Sequence, residues 1–187
     1  MNPTSELQLH RLDPRRLPVV LMGGINLVRT AGLAGLPAIV AASDPDEPAS
    51  ASRHCVGAVR LPRLDRGEAV AEALVELGEA LVLHFGRRVP LLFGSDDALE
   101  VVSAHRERLG RYFLLLLNDP EVACALIAKD RFQAFARHRG LPVPRALAWK
   151  GEGPGTLRGA AGQVVAKPST KVDWHHSPLC EQLFGGD

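Results

Sequence analysis

The sequence predicts an α/β fold built on an open parallel sheet. Three observations predict it. Short apolar runs at residues 18–22, 36–43, 56–61, 89–93 and 112–117 have the length and character of strands buried on both faces. Stretches with apolar residues at three- and four-residue steps alternate with them, as amphipathic helices do. Glycines close two of the strands, at Gly23-Gly24 and at Gly94, in the strand–turn–helix–strand rhythm of βαβ units. After residue 117 the order becomes helix, helix, strand, loop, strand. The boundary therefore falls there, with one domain over residues 1–117 and a second over 118–187.

The elements follow in order. Residues 1–16 show no period and read as an irregular lead. Residues 18–22 form a strand that stops at Gly23-Gly24. A helix over 25–35 carries Leu27 or Val28, Ala31 and Ala34 at helical spacing. A second strand, 36–43, ends in the acidic loop at Asp44 to Pro48, and 56–61 forms a third. The clearest helix is 67–85, with Val70, Leu74, Leu77 and Leu81 on one side and Glu68, Glu72, Glu76 and Glu79 elsewhere. Strand 89–93 leads through Gly94-Ser95-Asp96-Asp97 into a helix over 98–109, and 112–117 is the fifth strand. Asn118-Asp119-Pro120 starts a helix that runs towards Ala128, with Pro at the first helical position. A helix over 129–139 ends at Gly140, a residue suited to a helix C-terminus. Leu141-Pro142-Val143-Pro144 forces an extended segment. Strands at 145–150 and 163–167 flank a Gly-rich loop over 151–162.

Composition excludes several classes. Of 187 residues, 46% are hydrophobic and 23% charged, which fits a packed core rather than disorder. A net charge of +1 supplies no field to gather nucleic acid or an anionic membrane. No apolar run reaches the ~18 residues a membrane-spanning helix needs. The three cysteines, Cys55, Cys124 and Cys180, are odd in number and widely spaced. They form neither a disulfide framework nor a zinc ribbon, and a reducing cytoplasm is the expected context.

The candidate site residues lie where open α/β sheets bind ligands, at the carboxyl ends of the strands. Gly23, Gly24 and Asn26 follow the first strand; Ser95 and Asp96 follow the fourth. Each has a structural role beside the ligand one: a tight turn for the glycines, helix capping for Ser95 or Asp96. The dinucleotide fingerprint Gly-x-Gly-x-x-Gly is not met after Gly24, so a nicotinamide-dependent oxidoreductase is weakly supported. His175-His176 with Cys180 lacks a full tetrahedral ligand set, and no metal site is expected. His84, His105 and His138 read as solvent-edge residues.

Of 22 basic side chains only four are lysine: Lys129, Lys150, Lys167 and Lys171. A compact ammonium suits a phosphate oxygen in a narrow cleft in a way a guanidinium fork does not. Lys129 opens a helix whose apolar side is Ala128, Phe132, Phe135 and Ala136; its stem can pack while its head reaches outward. Lys167 closes an apolar strand, where a charge is costly unless it meets an anion.

Ala128-Lys129-Asp130-Arg131-Phe132, then Gly140-Leu141-Pro142-Val143-Pro144, then Val164-Val165-Ala166-Lys167-Pro168 resembles the ATP-grasp superfamily, of the carboxylate–amine ligase type. The resemblance implies that Lys129 and Lys167 contact the phosphates of ATP. It implies a Rossmann-like pre-ATP-grasp domain over residues 1–117 and the first, partial α+β ATP-grasp subdomain over 118–187. Magnesium would accompany the nucleotide, with its ligands in a C-terminal part beyond Asp187, so this chain alone is expected to be incomplete and inactive. The substrates implied are a small-molecule carboxylate and an amine, facing Gly23, Gly24, Asn26, Ser95 and Asp96. A partly built ATP cleft would leave apolar surface uncovered, and a homodimer is expected. The alternative is a non-catalytic α/β module that binds a small anionic ligand or a partner subunit.

Overall fold

Val19, Val20, Leu21 and Met22 are consecutive apolar residues, and all four are buried. A strand that hides both faces must lie inside a sheet, with helices above and below. In the computed structural model, which describes residues 7–44 and 47–144, that strand is β1 (Val19–Met22). It is followed by α1 (Ile25–Leu33), β2 (Ala38–Ala42), β3 (Cys55–Arg60), α2 (Gly67–Phe85), β4 (Val89–Phe93) and α3 (Asp96–Ala104). Then come α4 (Arg106–Leu109), β5 (Phe113–Leu115), α5 (Pro120–Ile127) and α6 (Lys129–His138). The five strands form one sheet in the order β3-β2-β1-β4-β5, and every pairing is parallel. This is an α/β, Rossmann-like sheet. The chain divides into two compact units, Met1–Ala123 and Cys124–Asp187.

The strand order decides where the helices go. From β1 the chain steps outward through β2 to β3; it then returns to β4 on the other side of β1 and steps out to β5. Parallel crossovers are right-handed, so the two halves put their helices on opposite faces. Val28 and Ala31 of α1 pack with Val19, Leu21, Ala38 and Val40 on one face. Val70, Leu74, Leu77 and Leu81 of α2 and Val102 of α3 pack with Val20, Met22, Ile39, Leu91 and Phe113 on the other. On the α1 side, Leu92 and Leu114 remain exposed, while their neighbours Leu91 and Phe113 are fully buried on the opposite side.

Two expectations need correction. The helix expected over 98–109 is two helices, interrupted at His105. His105 N still donates to Val101 O and Leu109 N to His105 O, so helical hydrogen bonds reach up to the break from both sides, while the His105 backbone itself leaves the helical range. Arg106 accompanies the break: its Nη2 donates to Asn118 O at 2.7 Å and to Ser103 Oγ at 3.3 Å. The lead is not wholly irregular. Leu9–Arg11 is a turn of 3-10 helix, and Leu7 is buried against Gly57, where a side chain would collide with it. His84 and His105 are half-buried and His138 is exposed, and Nε2 of His84 lies 3.2 Å from Leu12 O. The strands expected at 145–150 and 163–167, with Lys167, His175, His176 and Cys180, lie outside the described residues. Among the described residues, no helix is long and apolar enough to cross a membrane.

Gly78 in the middle of α2 is a poor helix former, and packing explains it. A β-carbon there would stand 2.6 Å from Tyr112 Cβ and 2.9 Å from Phe113 Cε2. Its absence lets α2 sit close to the start of β5. Gly78→Ala should therefore lower unfolding free energy by about 1–3 kcal/mol despite the better helix propensity of alanine, read as a lower urea midpoint.

Tyr112, the chain's one tyrosine, donates its hydroxyl to Glu79 Oε1 of α2 at 2.7 Å. That bond, helped by partial desolvation and the Glu79 charge, raises the phenol above its ordinary 10.0, against an opposing pull from Arg111 and Arg108. The protonated phenol is the bonded form. Its contribution to stability is complete below pH 10 and disappears as pH rises through the raised pKa. Absorbance titration of the single tyrosine should give a midpoint above 10.0, returning towards 10.0 in Glu79→Ala.

Candidate functional site

The switch in strand order falls between β1 and β4. The helices after these two strands leave on opposite faces, the arrangement at which open α/β sheets bind ligands on the carboxyl edge. Met22 pairs with Phe93 at the ends of the two strands. Each strand is followed by a glycine, Gly23 and Gly94, and Gly94 N donates to Met22 O at 3.0 Å. The sequence-predicted residues Gly23 and Ser95 are thus brought to one edge by neighbouring strands.

Gly23 and Gly94 lack side chains for a common reason. A β-carbon on Gly23 would stand 2.6 Å from Leu27 Cδ1, and one on Gly94 would stand 3.1 Å from the same methyl. Leu27, in the first turn of α1, is half-buried and fills the notch between the two turns. Gly24 is the N-cap of α1 in an extended conformation and provides no side-chain cap; no acidic residue occupies that helix's first turn. Asn26 is exposed, its carbonyl accepting from Thr30 Oγ1 at 2.9 Å.

On the other wall Ser95 is the N-cap of α3. Its Oγ accepts from Ala98 N at 3.2 Å, so capping is its observed role. Asp96 and Asp97 follow in the first turn, exposed and favourably placed on the helix dipole. Glu47 was not anticipated. Its Oε1 lies 3.9 Å from the position of a Gly24 β-carbon, and its carboxylate accepts from Ala49 N at 3.1 Å. Leu27 and Gly94 were also missed as site residues. Gly94 had a signal, since it repeats after β4 the strand–glycine junction seen after β1.

Lys129 is the first residue of α6, after Ala128 as N-cap, and is half-buried. Ala136 of the expected apolar side is fully buried, while Phe132 is exposed. Arg139 lies over the Phe135 ring, 5.0 Å from its centroid. Gly140, with φ of +66°, turns the chain out of the helix as expected. Lys129 and the strand ends at Gly23 and Gly94 belong to different units. Among the described residues no three His, Cys, Asp or Glu side chains gather as a metal site, so they hold no ready magnesium ligand set.

No protein-family model matches the chain. No curated protein sequence matches it either. Among solved structures, it is similar to an L-amino acid ligase from Bacillus licheniformis, with a TM-score of 0.49 and 15% identity over 70% of this chain and 34% of that one. It is also similar to the biotin carboxylase domain of a single-chain bacterial carboxylase, with a TM-score of 0.45 and 20% identity over 76% of this chain and 34% of that one. The chain spans about a third of the length of each.

Substitutions separate the roles of these residues. Gly23→Ala must displace Leu27 and should cost about 1–3 kcal/mol of stability. Ser95→Ala should cost about 1 kcal/mol through the lost cap. Gly24→Ala meets nothing nearer than 3.9 Å and should cost least of the three. Urea midpoints of the three variants check that order.

Proposed function

We propose that this chain is the N-terminal part of an ATP-grasp ligase that activates a carboxylate and joins it to an amine. A carboxylate oxygen attacks the γ-phosphorus of ATP, and ADP leaves. The amine nitrogen then adds to the acylphosphate carbonyl, phosphate departs with the C–O bond electrons, and the nitrogen gives up a proton. The observation that carries the reading is an order of elements. A parallel Rossmann-like sheet whose strand order switches between β1 and β4 comes first. A helix headed by a lysine and closed by Gly140 and Leu141-Pro142-Val143-Pro144 follows.

In this reading the Lys129 and Lys167 ammonium groups hold phosphate oxygens of ATP. Magnesium supplies charge neutralisation as the phosphoryl group moves. Its ligands are assigned to a C-terminal part of the whole protein, outside the described residues. The carboxyl edge at Gly23, Gly24, Asn26, Ser95 and Asp96 takes a small-molecule substrate. A charge-assisted hydrogen bond to phosphate is worth about 1.5–3 kcal/mol. Lys129→Ala and Lys167→Ala should each weaken ATP binding by the 187-residue chain about tenfold or more, measured by calorimetry with MgATP. Equal affinity in wild type and both variants, or no ATP binding, overturns the assignment.

A further inference from the structure

The sheet has two outer strands, β3 and β5, and they are built differently. In β3, Ala38 pairs with Cys55 and Ile39 with Gly57, so Val56 is an extra residue that bulges the edge. Such a bulge discourages a further strand from joining. β5 is regular, with Phe113, Leu114 and Leu115 in step with Val89, Pro90 and Leu91. Gly94 N donates to Met22 O, so the even-numbered residues of β4 bond towards β1 and the odd-numbered ones towards β5. In this register Leu114 bonds towards β4, while Phe113 and Leu115 turn their backbone N–H and C=O groups away from the sheet. Among the described residues no strand pairs with that edge. On the α1 side of the sheet Leu114 is 45% exposed and Leu116 88%. The segment from Arg111 to Asp119 has a cation at one end, an anion at the other and four leucines between, Leu114 to Leu117. Both end groups are exposed, and neither has an ion-pair partner among the described residues.

We propose that this edge is the interface of a homodimer, in which β5 pairs antiparallel with β5 of a second copy across a two-fold axis at Leu115. The register follows from the residues. Centred there, Leu115 meets the partner's Leu115 and Phe113 meets the partner's Leu117, so outward backbone groups bond to outward backbone groups. Leu114 comes beside the partner's Leu116, and Arg111 comes level with the partner's Asp119. Apolar and opposite-charge pairs across antiparallel strands are both stabilising. The two-fold axis makes each of these pairs twice, as a self-complementary surface requires. A centre at Leu114 or at Leu116 would keep the backbone bonding but move Arg111 off Asp119. The charge pattern therefore selects both the occupant and the register. The inference is independent of nucleotide binding, and it gives the homodimer expected from the sequence a sheet edge rather than an open cleft.

The test follows the 187-residue chain by sedimentation velocity from micromolar to submillimolar concentration. The wild type should pass from monomer to dimer. Arg111→Asp and Asp119→Arg each turn two attractive pairs into two repulsive ones and should weaken association about tenfold or more. An equimolar mixture of these two variants should restore it, because the mixed dimer again sets opposite charges level at both ends. Leu116→Lys, at a solvent-exposed position, should also weaken the dimer. Thermal melting identifies folded variants, and Arg111→Asp with Leu116→Lys carries the test if Asp119→Arg disturbs the start of α5. A wild type that stays monomeric at every concentration overturns the interface. So does a dimer indifferent to Arg111→Asp and Leu116→Lys, or a mixture of folded charge variants that fails to associate.

Discussion

The parallel pairing of β1 with β4 is the interaction on which the rest of the sheet unit depends. Val20, Leu21 and Met22 pair with Leu91, Leu92 and Phe93, and they bind two strands separated by more than half of that unit. Buried backbone groups must find partners, and a strand as fully enclosed as β1 can find them only in neighbours on both sides. Pairing with β2 satisfies one side; β4 satisfies the other. Placing β4 there sends α1 and α2 to opposite faces and divides the core into its two clusters. It also sets Gly23 beside Gly94 at the carboxyl edge of the sheet.

Leu27 links that architecture to the candidate site. The first turn of α1 has to pass close over the ends of β1 and β4, and glycine at both ends leaves room for one leucine methyl. The same closeness packs Leu27 against the core cluster of β1, α1 and β2. Ser95 serves the fold directly: its hydroxyl oxygen accepts from Ala98 N and holds the start of α3, while its O–H proton stays available as a donor.

Much of the sheet unit was legible because periodicity was strong. Val70, Leu74, Leu77 and Leu81 define α2 over Gly67–Phe85, and the run Val89–Phe93 defines β4 between Arg88 and Gly94. The break at His105 was not legible. It depends on where Arg106 and Leu109 must go, to the Asn118 carbonyl and into the core, and neither destination is local. Leu7 stood in a segment without a period, and its burial follows from the missing side chain of Gly57, some fifty positions away. At the carboxyl edge, the glycines and Ser95 were visible as turn and cap chemistry. Glu47 and Leu27 were not, since their nearness to it arises only when separate turns meet.

The strand order has a consequence for the growing polypeptide. β1 and β2 can join as soon as α1 has formed between them, but the opposite edge of β1 waits for a strand that emerges some seventy residues later. Until then a wholly apolar strand presents an open row of amides and carbonyls. Such late, distant closure slows folding and leaves an intermediate able to capture other chains. The central strand therefore gains its second neighbour only once Val89–Phe93 is in place.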